Sequence, residues 1–403
     1  MLFLPIHKKG LILKIFVVLS RVPFPLEKGD KLRAYNQLKI LSERHDIYLF
    51  ALNDKSLHPE AMQELSSFCT QVKIFKLHKL SILCNMLKFF FKGLPIQCGY
   101  FFNNRYKKRI NEAIDEIKPD VIYSQLIRTA EYVRHRKEKK VLDYQDVFSK
   151  GMYRMMQKST FLKRWLCKME YNRLRKYEVD VFADFDEKTI ITQVDRTMIE
   201  HYAASEIVVV PNGVDSTYFV PQHVEKKYDI IFTGNMSYLP NIVACEYIAH
   251  EILPELLKRE PHIKIALCGV DPSPRVLALK GEHIEVTGWV EDIRSYYAMS
   301  KLFVAPMEIG TGLQNKLLEA MAMGIPCITS PLASQPIKAV INKEIIVCNS
   351  VLGYVDEIVN LLHNQQLYEM LSQNACCYVK EHYNWQQTTK ILENLLEKLN
   401  NKC

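Results

Sequence analysis

The chain has 403 residues, 48% of them hydrophobic and 24% charged, an ordinary soluble-globular composition with enough length for two domains. No segment reaches the roughly 18 uninterrupted apolar residues of a membrane span. Eleven scattered cysteines with no C-x-x-C pair exclude a disulfide framework and a zinc site and suit a reducing cytoplasm.

The net charge of +8 is unevenly spread: residues 1–205 carry +14 and residues 206–403 carry −6. A basic first half suits an anionic surface or substrate, and a lysine-rich solvated surface explains the excess equally. Nucleic-acid binding has only this basic half in its favour, since no reading motif accompanies it.

The first segment, "MLFLPIHKKGLILKIFVVLS", has its apolar runs split by Lys8, Lys9 and Lys14. A signal peptide would place the charges first and one apolar block after them, so "LKIFVVLS" (13–20) is read as a buried strand. "PLEKGDKLR" leaves that strand and enters a helix over 31–44. Gly29 would permit the turn, with Lys28, Lys31 and Arg33 around it as an acceptor or phosphate clamp. The alternative is Asp30 as a plain N-cap with solvated cations.

Strand patterns follow at 46–52, 72–77, 120–125, 140–146, 188–193 and 207–212, with a helix over 104–117. The stretch 80–109 mixes aromatic and basic residues, which fits an anionic membrane interface as well as it fits helix packing. "KVLDYQDVFSK" places Asp143 and Asp146 at a strand's carboxyl end, either to orient an acceptor hydroxyl or to cap a helix.

The polar stretch 215–227 reads as a linker. Beyond it the alternation restarts, with strands at 228–235, 263–269, 284–289, 302–306, 326–330 and 344–348 and a helix over 241–260. Strand–helix alternation of this kind predicts parallel sheets covered by helices. The chain is therefore α/β, two doubly wound Rossmann-like domains (1–214 and 228–384) followed by an amphipathic helix over 385–403. That helix would carry Ile391, Leu392, Leu395, Leu396 and Leu399 on its apolar face and return to the first domain. Ligands bind beyond the carboxyl ends of such strands, so a cleft between the two sets of strand ends is the expected place for chemistry. No G-x-G-x-x-G follows any of these strands, which argues against a dinucleotide-dependent dehydrogenase.

"LFVAPMEIGTGLQNKLLEAMAMGIP" (302–326) combines a strand, a glycine-rich loop and a helix closed by Gly324. Glycines at a helix start let an anion approach the backbone where N–H groups and partial positive charge converge. Lys316 adds a cation and Glu319 an acceptor for hydroxyls, a set suited to a phosphorylated, hydroxyl-rich ligand. An ordinary loop with solvated charges has the same spacing.

Together with "VVVPNGVDSTYF" (208–219), "TGNMSYLPN" (233–241) and "VTGWVEDIRSYYAMSKLFVAP" (286–306), this block closely resembles GT-B glycosyltransferases, more narrowly the retaining group called family 4. "RVPFPLEKGDKLRAYNQLKILSERH" (21–45) looks like the sugar transferases tied to exopolysaccharide biosynthesis. The resemblance covers most of the chain, least over 55–110.

It implies a nucleotide-sugar donor held by the second domain and a saccharide or polyprenyl-linked acceptor at the first. Glu319 would bind the ribose. Thr311, Gly312 and Leu313 would offer N–H groups to the diphosphate and sugar, with Gly234 and Asn235 under the phosphates and Gly269 also in the donor site. Gly288, Trp289 and Val290 would flank the base.

Two departures stand out. Thr311 occupies the position of a sugar-binding Glu, so either Glu308 swings in or Thr311 and backbone groups bind the sugar. The cations that relatives place after the first donor-domain strand are missing, which leaves diphosphate compensation to Lys316 and the helix start rather than to a metal. In a retaining reaction the leaving diphosphate itself can assist the incoming hydroxyl. A nucleotide-sugar epimerase of the same fold and a catalytically silent assembly partner are the rival readings.

Overall fold

The computed structural model describes residues 11–157, 160–310 and 312–401. It divides into two compact units, residues 1–210 with 389–403 and residues 211–388. Each is built on one parallel sheet with helices around it.

In the first unit the strands are β1 (Lys14–Leu19), β2 (Asp46–Asn53), β3 (Gln71–Lys76), β4 (Val121–Gln125), β5 (Lys140–Asp143), β6 (Glu187–Ile190) and β7 (Val208–Val209). Their order is β3-β2-β1-β4-β5-β6-β7. Val17 on β1 faces Leu49 on one side and Tyr123 on the other. A central parallel strand is covered on both faces, so it must be apolar throughout rather than alternating. β1 is, with Ile15 to Leu19 fully buried.

The second unit contains β8 (Tyr228–Thr233), β9 (Ile265–Cys268), β10 (Ile284–Gly288), β11 (Ser300–Ala305), β12 (Cys327–Thr329) and β13 (Ile346–Val347). The order is β10-β9-β8-β11-β12-β13, all parallel. The chain steps outward from β8 in one direction and returns on its other side at β11. In doubly wound sheets that reversal is where loops part and ligands enter.

Each strand expected from the apolar runs is present, with ends shifted by a few residues. Two readings need correction. The stretch 215–227 is not a free linker: the boundary falls at Val210, and the segment is packed onto the second unit. Phe219 lies on its core, and the Lys226 ammonium donates to the carbonyls of Ala298 and Ser300 at 2.7 and 3.0 Å.

The last helix, Trp385–Asn401, buries Leu392, Leu395, Leu396 and Leu399 against the cluster containing Leu13, Ile15 and Val17, each contributing roughly 2 kcal/mol. Ile391 is not on that face; it is 40% exposed. Among the described residues no helix is long and apolar enough to cross a membrane.

Candidate functional site

The switch point of the second sheet gathers most of the residues expected to hold a donor. Gly234 and Gly269 directly follow β8 and β9, and Gly288 ends β10, with stepped contacts: the Gly234 N–H donates to the Cys268 carbonyl at 3.1 Å and the Gly269 N–H to the Gly288 carbonyl at 3.2 Å. The approach is so close that a Cβ on Gly269 would fall 1.6 Å from the Gly234 carbonyl oxygen, at a φ of +155°. Only glycine fits there.

Lys316 projects into this corner from the helix Asn315–Ala322. Its ammonium donates to Asn241 Oδ1 at 2.5 Å and lies 4.2 Å from the centre of the Phe232 ring. Asn241 in turn donates to the Asn235 carbonyl at 2.8 Å. A Cβ on Gly234 would come within 3.3 Å of the Lys316 nitrogen, so the glycine keeps the space in front of the ammonium clear. Burial pushes the Lys316 pKa down to about 7, against a smaller upward pull from Cys245 and Glu319. An ammonium with one amide oxygen, one ring face and, among the described residues, no carboxylate within ion-pair distance is a charge awaiting an anion.

Glu319 sits one turn further along the helix. It accepts from the Tyr297 hydroxyl at 3.0 Å, and that hydroxyl also lies 2.8 Å from Thr233 Oγ1. Burial raises the Glu319 carboxyl, while Tyr297 and Lys316 pull it down. One carboxylate oxygen, Oε2, is thus anchored by Tyr297.

The helix carrying both residues ends as its sequence demands. Gly324, at φ +68°, donates to Met321, and Ile325 donates to Ala320, the paired bonds of a left-handed terminator. At its start Asn315 Oδ1 accepts from Asn212 at 3.3 Å, so the "PNGVD" segment meets the "QNK" segment a hundred residues away.

The loop leaving β11 holds Glu308, which is exposed, then Gly310, Gly312 and Leu313, which are half-buried. Thr311 lies outside the described residues. Trp289 is 71% exposed beside the end of β10, and Val290 is half-buried.

Asn241, Tyr297 and Thr233 stand within the matching segments, but nothing in the sequence sets them apart. Tyr297 reads as one more apolar position of the helix Ile293–Ala298 until its hydroxyl is seen against Glu319.

In the first unit two expected ligand residues are removed from consideration. Arg33 and Asp143 are wholly buried and paired with each other, Nε to Oδ2 at 2.8 Å. Tyr123 and Thr189 donate to the same carboxylate, each at 2.8 Å, and Arg33 also donates to the Val210 carbonyl at 2.8 Å. Their role is to tie β4–β7 to the helix Gly29–Leu41, and no ligand can reach them. Asp30 is not the N-cap, which is Lys28; it pairs with Arg21 at 2.6 Å. Gly29 opens the helix, and Lys31 pairs with Glu27 at 3.0 Å.

Asp146 does lie beyond β5, half-buried, with its carboxyl raised by burial. The backbone N–H of Val147 donates to it at 2.7 Å. Two unforeseen carboxyls sense its charge: burial lifts Asp195 to about 6 and Glu178 to about 7. Arg128 and Arg154 oppose the rise at Asp146.

Among the described residues His45, Glu393 and Glu397 come close enough to share a cation. Arg44 at 2.8 Å and Lys390 at 2.7 Å already neutralise Glu393, so the group reads as an ion-pair network.

The comparisons meet this geometry at the second unit. Residues 227–364 match the family model described as Glycosyl transferases group 1. That matching stretch contains Gly234, Asn241, Tyr297, Lys316 and Glu319 together.

The chain is 21% identical to an uncharacterized 44.6 kDa protein in the cps region of Klebsiella pneumoniae, over 92% of this chain and 96% of that one. The fold is that of GT-B enzymes. A sucrose-phosphate synthase from Thermosynechococcus elongatus superposes with a TM-score of 0.68 at 12% identity, covering 96% and 99% of the two chains. HepE of Anabaena, in complex with UDP and glucose, gives 0.68 at 12% identity, covering 96% and 100%. The group 1 match thus supports glycosyltransferase activity, and the structural likenesses support the fold.

Proposed function

We propose that the protein moves a sugar, with retention, from a nucleotide-diphosphate donor to a saccharide or polyprenyl-linked acceptor in exopolysaccharide biosynthesis, as a family 4 enzyme. The observation that carries this reading is the pairing of an unneutralised Lys316 with a half-anchored Glu319 at one helix start. A diphosphate completes the first and a ribose the second. The cps-region relative supports the polysaccharide context, and the UDP and glucose bound by HepE support the donor class.

Catalysis in this reading is mainly orientation and stabilisation of charge developing on the leaving diphosphate. Gly269, Gly288, Trp289, Val290, Gly312 and Leu313 surround the donor, and Asp146 faces the acceptor. Glu308 or Thr311 contacts the sugar. Lys316 and the helix start take the charge that a metal would otherwise take, so transfer should survive EDTA. Thermal-shift screening against a panel of nucleotide sugars tests the donor. Nucleotide release on adding a lipid-linked acceptor, with the anomer read by NMR, tests the reaction. Stabilisation by no nucleotide sugar would refute the reading.

The acceptor class suggests a site at the cytoplasmic face of a membrane, and the helix Lys79–Phe91 supports it. Leu80 and Phe91 are 81% and 82% exposed, with Leu83 and Leu87 between them on the same face. Lys79, Lys88 and Lys92 flank the stripe. On the helix Phe161–Asp180, Phe161 is 92% and Trp165 57% exposed. Apolar faces rimmed with lysine fit an anionic bilayer. Sedimentation with phosphatidylglycerol vesicles should be lost in Leu80→Glu/Phe91→Glu; equal binding by that variant, or none by the wild type at low salt, refutes the attachment.

A further inference from the structure

A cavity of about 340 Å³ opens in the first unit beside the carboxyl ends of β1 and β2. Arg21, Lys28, Lys31 and Lys55 line it, with His58 and Asp54. Four cations around one small space repel one another. Lys28 records this, its pKa held below the usual lysine value by burial and then by Arg21 and Lys55.

Carboxylates answer only part of the charge. Asp30 pairs with Arg21 and Glu27 with Lys31. Asp54 accepts from the Tyr100 hydroxyl at 2.9 Å. Among the described residues neither Lys28 nor Lys55 makes an ion pair.

A second feature points the same way. The helix Gly29–Leu41 begins in the cavity wall, since Lys28 is its N-cap and Lys31 lies in its first turn. The Lys28 side chain does not cap it, and a helix start leaves its first N–H groups without intrahelical partners. Two exposed ammonium groups with no carboxylate partner among the described residues, beside the start of a thirteen-residue helix, match a group of charge −2 or more better than a single carboxylate. Val22, Phe24 and Leu57 complete the lining, giving an ester's organic part an apolar wall to rest on.

We infer that this cavity binds the phosphate or diphosphate group of an ester, the anionic portion of the acceptor substrate. The word acceptor rests on the proposed function; the anion chemistry does not. Arg33, taken from the sequence as part of such a clamp, is replaced by Arg21 and Lys55, which the β1 and β2 loops bring to Lys28 and Lys31.

The test is lysine acetylation of the full chain at low ionic strength, read by mass spectrometry, with inorganic pyrophosphate or farnesyl diphosphate as probe. Lys28 and Lys55 should react about tenfold more slowly at a probe concentration ten times its Kd, while Lys118, equally exposed but outside the cavity, keeps its rate. Protection at lower concentrations of farnesyl diphosphate than of pyrophosphate assigns the site to a lipid-borne ester; equal protection assigns recognition to the anion itself.

Unchanged rates at Lys28 and Lys55 with both probes at millimolar concentration, or equal protection of Lys118, overturn the inference. Lys28→Ala/Lys55→Ala should lose the pyrophosphate stabilisation attributable to this cavity while binding UDP as wild type does. Loss of UDP binding in wild type would instead count against the donor reading, so the two failures are separable.

Discussion

Lys316→Met is the substitution that most directly tests how the donor site works, because it should strengthen the fold while weakening binding. The Lys316 pKa falls from the ordinary 10.5 to about 7 on burial. For a fully dry ammonium that difference would amount to roughly 5 kcal/mol at about 1.4 kcal/mol per unit. The side chain is half-buried, so solvent screening reduces the cost to about 1–2 kcal/mol. Losing the bond to Asn241 returns about 1 kcal/mol of that.

The folded pKa lies below the unfolded one, so between about 7 and 10.5 the unfolded chain holds the extra proton and stability rises with pH. Calorimetry should find Lys316→Met more stable than wild type by up to about 1 kcal/mol below pH 7, a Tm gain of at most about 2–4 °C, with the gap closing by pH 10. In titration calorimetry UDP should bind wild type about tenfold more weakly per pH unit above 7 with buffer-dependent heat from proton uptake, and the variant should bind weakly at every pH. A stability gap that ignores pH, or a variant with wild-type UDP affinity, would refute the reasoning.

Other outcomes follow from the same geometry. Glu319→Gln should weaken UDP by about tenfold or more, roughly 1.4 kcal/mol of charge-assisted bonding, yet leave pyrophosphate binding unchanged because pyrophosphate has no ribose; calorimetry with both ligands reads the difference. Gly269→Ala should cost roughly 3 kcal/mol or more, since its Cβ would overlap the Gly234 carbonyl, and soluble yield and Tm report it. Arg33→Met should lose about 3–5 kcal/mol in urea titration by leaving Asp143 charged in the core with only the Tyr123 and Thr189 hydroxyls as partners. UDP affinity per folded molecule should not change; a lowered affinity with intact stability would restore Arg33 to a binding role.

The fold was legible because parallel strands buried on both faces must be written as continuous apolar runs, and "LKIFVVLS" or "YDIIFTGN" can be little else. The donor helix was legible for a related reason: Gly324, Lys316 and Glu319 act through local spacing along one helix. Their partners were not. Tyr297 holds Glu319 from a different helix, and Asn241 meets Lys316 from the helix Leu239–Tyr247 that follows β8.

Asp143 shows the opposite failure. An acidic residue at a strand end looks like chemistry until Arg33, 110 positions earlier, is found against it. The sequence by itself determined two parallel-sheet units and the local chemistry of the helix start, because strand periodicity and helical spacing act over a few residues. Tertiary structure decided which charges are satisfied and which are left for a ligand, because neutralisation is settled by neighbours in space. Arg33 and Asp143 cancel in the core, while Lys316, Lys28 and Lys55 remain without a carboxylate among the described residues.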